Sequence, residues 1–78
     1  MTDWSPEKAM AMEERHIIEG EMRVARQEVL VAKLAEKGHG ASLTLAEDLL
    51  SALCDSVEIS RDRLLYLRNR YGNPPNST

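Results

Sequence analysis

Seventy-eight residues suffice for one small domain, and a core built from so short a chain is marginal unless a disulfide, a metal or a second subunit supports it. Cys54 is the single cysteine, which excludes an internal disulfide, and with two well-separated histidines, His16 and His39, it falls short of a structural zinc set, so association is the stabiliser left. Ten Lys and Arg against thirteen Asp and Glu give a net charge of -3, which argues against a dedicated nucleic-acid binder because a phosphate backbone has to be met by clustered positive charge.

The first residues, MTDWSPEK, carry no basic run ahead of an apolar core, and no apolar run approaches the ~20 residues of a membrane span. A cytoplasmic protein with no membrane partner is expected. Residues 1–5 read as a flexible lead. Ser5-Pro6-Glu7 then signals a helix start: the serine accepts a free N–H of the first turn, proline fits the first helical position, and the glutamate favours the dipole. From there to Lys37 only Gly20 is a poor helix former, and the apolar residues recur at helical spacing, which predicts helix 1 over 6–37. The segment 38–43, within Lys37-Gly38-His39-Gly40-Ala41-Ser42, is expected as a loop in which the glycines supply positive φ and His39 is a corner residue. Thr44-Leu45-Ala46-Glu47 has the form of a capping box and predicts helix 2 over 44–71. Gly72 reads as a left-handed stop, Arg68 and Arg70 suit the negative end of the dipole, and 72–78 is expected to be a disordered tail. No glycine or proline interrupts Thr44 to Tyr71, so one long helix is preferred over a helix-turn-helix.

Two helices of about 30 residues, each ~45 Å long, joined by a short loop must run antiparallel. The expected fold is all-α, a coiled-coil-like two-helix hairpin. A heptad seam supports it. Helix 1 places Met10, Ile17, Val24 and Val31 at a, with Gly20, Gln27 and Leu34 at d; helix 2 places Leu50, Val57, Leu64 and Tyr71 at a, with Ala46, Leu53, Ser60 and Leu67 at d. Gly20, Gln27 and Ser60 weaken this seam as an isolated coiled coil, although Gly20 and Ser60 permit close approach of the backbones. Flanking it, Glu14, Glu21 and Glu28 take e in helix 1, and Arg61 and Arg68 take e in helix 2. A pivot near Ala41 sets Glu14 against Arg68 and Glu21 against Arg61, with Glu28 left facing Cys54.

A second apolar row runs along each helix. Ile18, Met22, Ala25 and Val29, continued by Ala32, form it on helix 1; Leu45, Leu49, Ala52 and Ile59, continued by Tyr66, form it on helix 2. One hairpin cannot cover both rows. The expectation is a homodimer in which two hairpins pair about a two-fold axis into a four-helix bundle, with eight residues of these rows, all but Ala32 and Tyr66, as its interface.

No constellation for catalysis or for a cofactor emerges, so no enzymatic activity is expected. Glu13-Glu14-Arg15-His16 contains one Glu-x-x-His, but a di-iron bundle needs two and further inward glutamates. Gly38-His39-Gly40 is not a phosphate loop, Cys54 has no histidine partner on its helix and reads as a small seam-edge hydrophobe, and Trp4, Tyr66 and Tyr71 are too few to stack bases. The function expected is an interaction or regulatory module whose partner is itself or another protein. The alternative is a nucleic-acid-binding regulator using Arg61, Arg63, Arg68 and Arg70, which Asp62 interrupts; a metal-binding helical bundle stands third.

His16-Ile17-x-x-Gly20-Glu21-x-Arg23-Val24-x-Arg26-Gln27, followed by Leu30, Leu34 and Gly38-His39, resembles the pattern of a family of short, uncharacterised bacterial helical-hairpin proteins. The resemblance spans about Glu14 to Leu67 and implies a helical hairpin without enzymatic activity. After Gly-His this chain carries Gly40 where that family places an acidic residue, so the resemblance assigns no role to His39.

Overall fold

The Oγ of Ser5 accepts a hydrogen bond from the Lys8 amide at 3.1 Å, Pro6 opens the first turn and Glu7 lies within it, so the N-terminal signal produces α1, Pro6–Lys37. In the computed structural model, which describes residues 3–72, α1 is followed by α2, Gly40–Leu67, and by one wide π-helical turn, Arg68–Gly72. The disorder expected of 73–78 and the flexibility expected of residues 1 and 2 lie outside the described residues. Of the remaining lead, Ser5 is engaged as the cap and Trp4 packs edge-on against Tyr71, with ring centroids 5.5 Å apart.

The corner is tighter than the predicted loop 38–43. Gly38 sits at φ 73° and closes α1: its N–H donates to Ala35 O, and the N–H of His39 donates to Leu34 O. His39, at φ -85° and ψ 81°, then makes an inverse γ-turn, with the Gly40 N–H reaching Gly38 O at 3.1 Å. Two residues therefore complete the reversal, and α2 begins at Gly40 rather than at Thr44. His39 occupies the cap position without a side-chain hydrogen bond, and Thr44 donates back to Gly40 O at 3.1 Å from inside the helix, so the expected capping box does not start α2. The early start has a packing reason: it brings Leu43 into helical register, where it is half-buried at the same level as half-buried Leu34.

The far end also departs from expectation. α2 stops at Leu67, and Gly72 is not left-handed; among the described residues only Gly38 has positive φ. The wide turn swings Tyr71 off the seam, where it stays 44 % exposed against Trp4, and it sets Gly72 close to Met10, so that a Cβ there would lie 3.7 Å from the Met10 sulfur.

Between these ends the helices meet along the predicted seam. Half-buried Met10, Ile17, Val24, Val31 and Leu34 face Leu50, Leu53 and Leu67, around buried Ala46, Val57, Ser60 and Leu64. Gly20 marks the closest approach: a Cβ on it would fall 2.6 Å from Val57 Cγ2. Gln27 is buried too, and its Nε2 donates to Ala46 O of the facing helix at 2.9 Å, so this polar seam residue is satisfied across the interface. The described residues measure 57 × 33 × 14 Å, and the smallest dimension is about one helix thick, so among them no second layer covers either face of the hairpin.

Candidate interaction surface

Heptad geometry determines which side chains share a face of this plate. The e and b positions of both helices lie on one flank of the seam, and the g and c positions on the other. Two ion pairs locate the first flank: Arg61 donates to Glu21, and Arg68 donates to Glu14 at 3.1 Å, as the predicted register requires. All four side chains are about half exposed, so each pair contributes roughly 0–1 kcal/mol and acts mainly on register. Glu28 faces Cys54 across the same groove, and Cys54 is exposed there rather than tucked into the seam edge. Glu47 and Glu58 complete this ladder flank. From the Glu14–Arg68 pair to the corner, five carboxylates (Glu14, Glu21, Glu28, Glu47, Glu58) against Arg61 and Arg68 give this flank -3, and Glu7, also at e, lies beyond that stretch.

The opposite flank is of the other sign. A groove lined by His16, Glu19, Arg23, Ser56, Ile59 and Arg63 runs along the seam, and Arg26 stands next to Arg23. Lys33 follows Arg26 by one heptad, and Lys37 follows Arg23 by two. Arg23, Arg26, Lys33, Lys37 and Arg63 against Glu19 give +4, and none of these five cations stands within ion-pair distance of a carboxylate among the described residues. This basic flank was missed by the sequence reading, although the heptad that revealed the ladder also places Arg23 and Lys37 at g and Arg26 and Lys33 at c.

All eight residues of the predicted interface are exposed: Leu45 is 72 %, Ile18 59 % and Val29 55 % accessible, and Met22, Leu49 and Ile59 each about half. They are not brought together on one face. Ala25 lines the ladder-flank groove, Ile18 lies one heptad before it, and Met22 and Val29 run along the outer edge of α1. Ile59 lines the basic-flank groove, in line with Ala52 and Leu45 and beside Leu49, and Leu30 of α1 joins this side. A single two-fold contact that uses both rows at once is therefore unavailable to this hairpin.

The arginines invoked for nucleic acid are likewise divided. Arg61 and Arg68 are engaged by glutamates on the ladder flank, Arg63 is on the basic flank, and Arg70 lies over the Tyr71 ring at 5.8 Å. The Arg70 guanidinium is raised above its usual range by Tyr71 first and Tyr66 second, so it keeps its charge. For metal, Glu13 Oε1 and His16 Nδ1 stand 3.6 Å apart, and no third His, Cys, Asp or Glu joins them among the described residues. Glu13 nonetheless points inward at a d position, and its Oε1 is buried without a donor. No described helix is long and apolar enough to cross a membrane.

No protein-family model, curated protein or solved structure matches this chain. The resemblance to short helical-hairpin proteins rests on the motif from His16 to His39 alone.

Proposed function

We propose that this protein is a non-enzymatic interaction module that first associates with itself, two hairpins forming a four-helix bundle of which the homodimer is the smallest unit. The observation that supports this reading is the distribution of apolar surface. Among the described residues three apolar ones, Ala46, Val57 and Leu64, are buried, no side chain is more than 98 % covered, and twelve large apolar residues are exposed. A lone hairpin recovers little of the hydrophobic free energy its composition offers, and a second layer on the plate would recover more. A regulatory role for the assembly, through binding another protein, and a location in the cytoplasm, where an exposed single thiol stays reduced, belong to the same proposal.

Sedimentation equilibrium over a wide concentration range, with far-ultraviolet circular dichroism on the same samples, tests it. Mass rising from one chain to two or more, with helicity rising alongside, is the expected result. A fully helical monomer at every concentration would refute the proposal.

A further inference from the structure

We propose that the contact between copies is heterologous: the ladder flank of one hairpin stacks on the basic flank of the next. This rests on the self-association proposed above and specifies its geometry. A two-fold dimer places the same patch of both copies in contact. On this plate that means -3 against -3, or +4 against +4. Internal neutralisation does not relieve either case. Arg61 and Arg68 are already held by Glu21 and Glu14, which leaves Glu28, Glu47 and Glu58 unpaired on one flank among the described residues, while the five cations of the other flank have no carboxylate within ion-pair distance among those residues. Stacking unlike flanks puts -3 against +4 instead, and like-charge juxtaposition is what suppresses the wrong arrangement.

The charges also match in position. Glu28 and Glu47 lie in the half of the plate nearest the Gly38-His39 corner, as do Arg26, Lys33 and Lys37; Glu58 lies at a level between Arg23 and Arg63. A second copy laid over the first in the same orientation, corner above corner, places α1 over α1 and α2 over α2, which sets Glu28 near Arg26 and Lys33 and Glu58 near Arg63. Because each added copy still presents one free flank of each sign, such an assembly does not close at two unless a rotation closes it into a ring.

Two variants that change only exposed side chains outside the ion pairs test this. Glu28→Lys with Glu58→Lys reverses the ladder flank and leaves the basic flank intact; Arg26→Glu with Lys33→Glu neutralises the basic flank and leaves the ladder flank intact. Each variant alone is expected to associate at least about tenfold more weakly than the natural chain, whereas an equal mixture forms a one-to-one complex with the natural affinity, since one variant supplies each intact flank. The natural chain is expected to grow past twice the chain mass with concentration, and to associate about tenfold more weakly at ~1 M salt than at ~0.05 M, where charges are barely screened. Should either variant self-associate like the natural chain, or salt strengthen association, the contact is two-fold and this inference fails while self-association stands. Two variants that associate neither alone nor together would also overturn it. A natural chain that stays monomeric overturns both proposals, and the basic flank is then left for an acidic protein or a nucleic acid. Circular dichroism of each variant confirms that the hairpin is retained.

Discussion

Gly20 is the residue on which the helix spacing turns. Its missing Cβ lets Val57 approach to a distance no other side chain would allow, and Val57 is β-branched and buried, so it has little freedom to yield. Gly20→Ala is expected to lower stability by about 1 kcal/mol, an overpacking cost of roughly 1–3 kcal/mol partly offset by the better helix propensity of alanine. Denaturant unfolding of Gly20→Ala alone and combined with Val57→Ala checks this, because the double change opens the space and should cost less than the two single losses added. Gln27 and Glu13 show how a polar residue in a seam is decided by its surroundings. Both fall at d; Gln27 finds the Ala46 carbonyl across the interface, whereas the inner oxygen of Glu13 finds no donor. Their places in the heptad were legible in the sequence. Their different fates were not, since these depend on which backbone groups the facing helix presents.

At the scale of elements, the corner and the ladder behave differently. Gly38 and Gly40 look equivalent in Lys37-Gly38-His39-Gly40, but Gly38 is left-handed and Gly40 is helical with open space around its Cα. Gly38→Ala should destabilise by ~1–2 kcal/mol, and Gly40→Ala should be neutral or stabilise by up to ~1 kcal/mol; thermal melts of the two variants should therefore move in opposite directions. The ladder was read correctly because a two-residue corner and a period of seven leave little latitude: Glu21 met Arg61 and Glu14 met Arg68 as predicted. Reversing one charge, as in Glu21→Arg or Arg61→Glu, is expected to cost a few tenths of a kcal/mol. The double reversal should recover part of that, with the coupling fading in high salt. Losses that simply add would exclude a direct interaction in solution.

For the whole molecule, the governing fact is a single layer 14 Å thick with apolar surface on both faces and opposite charge on each. Such a hairpin draws stability from its neighbours by mass action, so its melting temperature is expected to rise with protein concentration. Differential scanning calorimetry over a hundredfold range would detect this, and an invariant midpoint would count against any assembly. The charge asymmetry also explains why a net charge of -3 is a poor guide to partners: it averages an acidic and a basic flank.

The helices, their antiparallel order, the seam and the ion-pair register follow from the sequence by itself, because each is a periodicity of one chain or a cap written in adjacent residues. Three features required the tertiary structure. The corner contracted to two residues because burying Leu43 and Leu34 favours continuing α2 backward to Gly40, a gain no local signal near Thr44 records. The last turn widened where Tyr71 met Trp4, a contact 67 residues apart in sequence. The distance between the helices was set by packing across the seam, with Gly20 against Val57 at its tightest point, whereas the parting of the two apolar rows was already contained in the heptad, which puts Ile18 and Ala25 at b and Leu45, Ala52 and Ile59 at c.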